Sequence, residues 1–211
     1  GTVAINGALG SAAITVAANE HSKTTAESIN LQTNKTGVTA TARAEAQLSF
    51  AAAGAYSLVL RSDNSEDQTV SFAITATSGS DGLSGAVAAI NEKSSKTGVV
   101  AQLNADGTGV ILTNPAGNTI VVGDTASANA GNVTVQKLVG DGSGGVATSG
   151  TAQTLAAANA ENIAISGYIT LDSDKSFSAV STTTTALQGT PGTLNSGLKK
   201  VSELDITSYG K

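Results

Sequence analysis

His21 is the single histidine in this chain of 211 residues, so any imidazole base or imidazole metal ligand would have to be that side chain. A Ser-His-Asp relay or a zinc site must therefore include it. Its neighbours, Asn19-Glu20-His21-Ser22-Lys23, read as a polar loop just ahead of a helix. Ser22 stands where a His-Glu-x-x-His zinc motif requires glutamate. His21 is thus expected at the solvated surface, with no catalytic or metal role. Carboxylates gather at Asp63 to Asp67 and at Asp172-x-Asp174, oxygen ligands of the kind calcium takes. Neither stretch has the Asp-x-Asp-x-Asp-Gly spacing with a distal glutamate, so both are expected to be solvated turns. Gly140 to Gly145 lacks the Gly-Lys-Ser/Thr and following helix of a phosphate loop and reads as a linker or loop tip. Asn34-Lys35-Thr36 and Asn132-Val133-Thr134 fit the N-glycosylation pattern. No cofactor, no metal and no enzymatic activity is expected.

The residues that organise the chain recur. Ile90-Asn91-Glu92-Lys93-Ser94-Ser95-Lys96-Thr97-Gly98-Val99-Val100-Ala101 has an earlier copy, Ile29-Asn30-Leu31-Gln32-Thr33-Asn34-Lys35-Thr36-Gly37-Val38-Thr39-Ala40, 61 positions before it. Two copies of one unit imply two similar pieces of structure. In the second copy Leu83, Val87 and Ile90 fall on one face of a short helix, with Asp81 as the expected N-cap. That helix should stop near Ser94 or Ser95, and Gly98 can then take positive φ before the strand Val99 to Leu103. In the first copy Ala26 and Ile29 mark a thinner helical face and Ser22 the cap. Ile29, Val38, Ile90 and Val99 are expected to be core or strand-leading apolar residues, Gly37 and Gly98 turns, and Asn30 and Asn91 hydrogen-bonding groups at helix ends. Lys35-Thr36 and Lys96-Thr97 complete the shared pattern.

Composition sets the material of the core. Aromatics are 3% of the chain, Cys, Met and Trp are absent, and Gly numbers 24. Small aliphatic side chains must therefore do the packing, which suits thin, strand-rich domains better than a deep pocketed enzyme. With 11 basic against 16 acidic residues, the net charge of −5 argues against a phosphate-backbone partner. No apolar run approaches the roughly 18–20 residues of a bilayer-spanning helix and no charged-then-apolar leader is visible, so a soluble chain without membrane partners is expected.

Taken in order, Val3-Ala4-Ile5 and Ile14-Thr15-Val16 predict a hairpin. Ala51 to Ala55 carries little side-chain volume and reads as a crossing between domains. Ser57 to Arg61, Thr69 to Thr77, Val99 to Leu103, Val110 to Thr113, Ile120 to Val122 and Val133 to Val139 are expected strands. Asn104-Ala105-Asp106-Gly107 and Asn114-Pro115-Ala116-Gly117-Asn118 are expected turns. Thr154 to Asn162 has a weak helical pattern. Ile163, Ile165, Ile169 and Leu171 suggest one strand with a bulge at Gly167, and Phe177 to Val180 should pair back onto it across Asp172-Ser173-Asp174. The fold class predicted is α+β: two small strand-rich domains, each with antiparallel hairpins and one short helix. The first is discontinuous, residues 1–50 and 139–211, and the second is inserted, residues 51–138.

The helix ending in Ile-Asn, a polar spacer, then Lys-Thr-Gly-Val-x-Ala resembles the hook IN motif of the central, variable region of bacterial flagellins and of some hook-associated proteins. The resemblance implies a structural, secreted, extracellular component of the flagellar filament that serves motility and presents an antigenic surface. Val201-Ser202-Glu203-Leu204-Asp205-Ile206 is similar to the segment leading a flagellin back to its shaft. The resemblance implies that partners are other flagellin subunits, held through terminal helices that this stretch does not show, and that the piece alone is monomeric. Ser181 to Thr185 would be candidates for the O-linked sugars of some flagellins. The central region of a hook-associated or filament-cap protein shares the motif. A carbohydrate-binding adhesion module, using Tyr56 or Tyr168, is the alternative of another class, and an enzyme comes third.

Overall fold

The structure is a computed structural model that describes residues 1–142, 144–157, 161–182 and 192–197. In chain order its elements are β1 (Thr2–Asn6), β2 (Ser11–Thr15), α1 (Ser22–Asn30), the one-turn helix α2 (Thr33–Thr36), β3 (Thr39–Phe50), β4 (Gly54–Arg61) and β5 (Gln68–Ile74). There follow α3 (Ser80–Glu92), a second one-turn helix α4 (Ser94–Thr97), β6 (Val100–Leu103), β7 (Val110–Asn114), β8 (Ile120–Asp124), β9 (Val133–Gly140) and β10 (Val146–Thr148). The last are β11 (Gln153–Leu155), β12 (Asn162–Ile165), β13 (Tyr168–Asp172), β14 (Ser178–Ser181) and β15 (Gly192–Asn195). Among the described residues strand far outweighs helix, 45% against 16%, and the sheets are antiparallel. No described helix is long and apolar enough to cross a membrane.

By contact the described residues fall into two compact units. One comprises Gly1–Glu20, Glu27–Ala40 and the described residues from Leu171 on. Its sheet runs β15-β14-β1-β2, with Val3 opposite Ile14 and Ile5 opposite Ala12 in the β1–β2 hairpin. Alternation turns Val3, Ile5, Ala12 and Ile14 inward, and all four are buried. Here β14 differs from the expectation of a hairpin with the 163–171 stretch: it lies between β1 and β15. Period-two patterning selects which face of a strand is buried, and it leaves the pairing partner open.

The other unit comprises His21–Ala26 and Thr41–Thr170. One sheet runs β10-β9-β3-β7-β6, with β11 also on β9 and β13 on β3; a second runs β12-β8-β4-β5. The buried faces of the two sheets and of α3 meet in one core that includes Leu48, Leu58, Val70, Leu83, Leu112 and Ile120. That core continues on both sides of Ala51 to Ala55, with Phe50 before it and Tyr56 after it. Phe50 and Tyr56 meet edge-on at 4.9 Å and Phe72 stacks on Tyr56 at 5.8 Å, so three of the few large side chains of the chain are pooled here.

Several local expectations are corrected. The N-cap of α3 is Gly79, and Asp81 sits inside the first turn. No helix covers the described part of 154–162: β11 and β12 occupy its ends, because pairing on β9 and β8 outweighs the slight helical preference of its alanines. Ile163 and Ile165 belong to β12 on β8, whereas Ile169 and Leu171 belong to β13 on β3, so Gly167 separates strands of different sheets and bulges neither. Asp141 and Gly145, by contrast, stand at a loop tip as expected, between β9 and β10, where the Asp141 N–H donates to the Gly145 carbonyl at 3.1 Å. The segment 201–206 and most of 181–185 lie outside the described residues.

Candidate functional site

The repeated positions build the same clasp twice. In the first stretch the Asn30 side chain at the end of α1 donates from Nδ2 to the Ala40 carbonyl at 2.8 Å and accepts the Ala40 N–H at 2.7 Å. In the second, Asn91 does the same with Ala101 at 2.9 Å and 2.8 Å. A primary amide has one donor side and one acceptor side, as a peptide bond has, so asparagine can stand in for a neighbouring strand's peptide. The end of each helix is thereby tied to the start of a strand ten residues on.

Inside that loop the threonines do two jobs each. Thr36 Oγ1 donates to the Gln32 carbonyl at 3.0 Å and accepts the Val38 N–H at 3.2 Å. Thr97 Oγ1 donates to the Lys93 carbonyl at 3.1 Å and accepts the Val99 N–H at 3.2 Å. Both threonines are buried, where an unmet hydroxyl or amide would be costly. Gly37 and Gly98 end the one-turn helices in the left-handed region, at φ 74° and 69°, and their N–H groups close onto Thr33 and Ser94 carbonyls. The chain then leads Val38 and Val99 into full burial, and Ile29 and Ile90 anchor the helices from within. Lys35 and Lys96 are exposed and take no part in this bonding. The one-turn helices themselves were missed from sequence, since four residues show no periodicity.

The surroundings of the second clasp were also missed. Asn114, fully buried, accepts the Ala116 and Asn118 N–H groups at Oδ1 and donates from Nδ2 to Ser62 Oγ at 2.9 Å and Asp63 Oδ1 at 2.6 Å. Asp63 also takes Asn118 Nδ2 at 2.8 Å, and its own N–H donates to the Thr97 carbonyl at 2.9 Å. Its carboxylate lies directly over Gly98, where any β-carbon would collide with it. Asp63 is exposed, as a solvated turn would have it, and its carboxylate is in addition bonded to Asn114 and Asn118. The Asn-Pro-Ala-Gly-Asn turn signal was visible in the sequence, but the bonds of its first side chain were not.

The residues with titratable chemistry stand elsewhere. His21 Nδ1 accepts the Thr119 N–H at 3.0 Å, so its bonded neighbour is a threonine and no carboxylate. Among the described residues no three His, Cys, Asp or Glu side chains come together as a metal site would need. Tyr56 is 2% exposed and gives its hydroxyl to the Ala52 carbonyl at 2.7 Å, so it cannot stack on a sugar; burial raises its pKa. Glu45, also buried, holds Tyr168 Oη at 2.7 Å, Thr113 Oγ1 at 3.2 Å and Arg43 Nε at 3.0 Å. Burial and the Glu45 carboxylate push the Tyr168 phenol up to about 12. Burial lowers the Lys137 ammonium, which donates to Ser166 Oγ at 2.8 Å. The clasps hold no nucleophile, acid or base; their amides and hydroxyls fix chain direction.

Residues 57–114 match the family described as the flagellin hook IN motif. The match supports a flagellin-like protein. It spans β4 to β7 and so contains the Asn91 clasp together with Asp63 and Asn114. The first clasp lies outside the matched span. No curated protein matches the chain. The hook IN motif points to a flagellin-type filament protein, and the flagellin family is structural.

Proposed function

We propose that the chain forms surface-exposed outer domains of a flagellin-type protein, one discontinuous and one inserted, which clothe a secreted, extracellular filament that serves motility and presents an antigenic face. The hook IN match over residues 57–114 carries this reading. The repeated clasp supports it further, because the bonds around Asn30 repeat those around Asn91, as a second copy of that motif would require. A structural role agrees with side chains that are spent on backbone bonding. Filament partners would be other subunits, joined through terminal helices beyond the stretch described.

The test is immunogold electron microscopy with antibodies raised against this chain, on flagellated cells that produce it. Label along the whole filament is the expected result. Label confined to the hook junction or the filament tip would replace this reading with a hook-associated or cap protein, and an unlabelled flagellum would remove both.

A further inference from the structure

One concave site lies in the unit built from residues 41–170 and belongs to no clasp. It has a volume of about 430 Å³ and is lined by Thr41, Arg43, Pro115, Gly140, Tyr168 and Thr170 among others. That size falls within the range of ordinary small-ligand sites.

The chemistry of the lining is one-sided. Both oxygens of buried Glu45 are already used, by Tyr168, Thr113 and the Nε of Arg43. What remains is the outer fork of Arg43, whose side chain is 51% exposed, and the hydroxyls of exposed Thr41 and Thr170. The Arg43 fork offers parallel N–H donors matched to a carboxylate. Beside it the Tyr168 ring is held in place by its hydroxyl bond to Glu45 and by Gly140, where a β-carbon would come within 3.2 Å of the ring. A fixed aromatic face next to a free guanidinium suits a ligand with an apolar ring face and acceptor oxygens on its edge.

We propose that this groove binds an acidic sugar unit of a glycan, its carboxylate on Arg43 and its ring face on Tyr168. A nucleotide could also present a ring and acceptor oxygens, but its phosphates bring more negative charge than a single carboxylate, and Arg43 is the one cation among the described lining residues. The proposal is independent of assembly into a filament.

The test is calorimetric and NMR titration of the whole chain with glucuronic acid, with glucose, acetate and inorganic phosphate as comparators. Saturable binding of glucuronic acid is expected with Kd on the order of 1 mM, as a shallow monosaccharide site should give. Glucose and acetate should each bind at least about tenfold more weakly, since each supplies only half of the contact. Arg43→Gln removes the fork and Thr170→Trp fills the groove from an exposed strand position. Each should lower affinity about tenfold or more; the Tm of Thr170→Trp should stay near that of the parent, whereas Arg43→Gln also removes the Nε contact to buried Glu45 and should lower the Tm. Absence of saturable binding, acetate or phosphate binding as tightly as the sugar acid, or unchanged affinity in both variants would overturn the proposal.

Discussion

The two asparagine clasps can be tested one side chain at a time. Asn91→Ala leaves the Ala101 N–H and carbonyl without their partner and should cost about 1–3 kcal/mol, read as a lower urea midpoint at unchanged slope. Asn30→Ala should cost a similar amount through Ala40, because the geometry is the same. A negligible loss at either site would show that water replaces the amide freely. The two turn glycines should differ. Gly37→Ala meets the left-handed backbone and, at 3.3 Å, the movable Leu9 side chain. Gly98→Ala meets a comparable backbone and also the Asp63 carboxylate, which Asn114, Asn118 and the Thr97 turn hold down. Gly98→Ala should therefore be the costlier change by on the order of 1–3 kcal/mol, and equal losses would refute the stated role of Asp63. The repeat made these positions visible because partners ten residues apart leave a local pattern. Nothing local marked the bond between Asp63 and Asn114, which are 51 residues apart.

Between elements, the buried end of β8 carries a charge that only partly finds partners. Asp124 Oδ1 accepts Asn129 Nδ2 at 2.7 Å, and Asn129 Oδ1 in turn takes the Ser57 N–H of β4 at 2.7 Å, but Asp124 Oδ2 has no hydrogen-bond partner. Burial raises the Asp124 pKa, opposed by the Asn129 bond and reinforced by Glu161. The folded state thus holds this proton more tightly than the unfolded chain does. Its contribution to stability is greatest below the ordinary carboxylate range, about pH 4, and is lost as pH rises through the raised value. Asp124→Asn removes that dependence. The Tm of the variant relative to the parent should climb between about pH 4 and pH 7, and parallel Tm curves would sink the assignment. Packing between sheets offers a second check: Leu112→Ala empties a fully buried site between β3 and β6 and should cost about 2–5 kcal/mol in denaturant unfolding.

Over the whole molecule, an excess of acidic residues with an isoelectric point near 4.7 should place the solubility minimum near that pH, measured by turbidity. A minimum well away from it would mean that the charges are unevenly screened on the folded surface. The amino-acid order by itself determined the material and the modules: small aliphatic cores, antiparallel strands in a period of two, and one helix-turn-strand pattern written twice. It did so because alternation, turn residues and a fixed offset are relations between near neighbours. Tertiary structure alone decided that β14 joins β1 and not the strand before it, that β12 and β13 part at Gly167, and that Glu45 is buried under a tyrosine 123 residues away. Such choices are made by which surfaces exclude water together, and a strand's own sequence specifies a buried face without naming what will cover it.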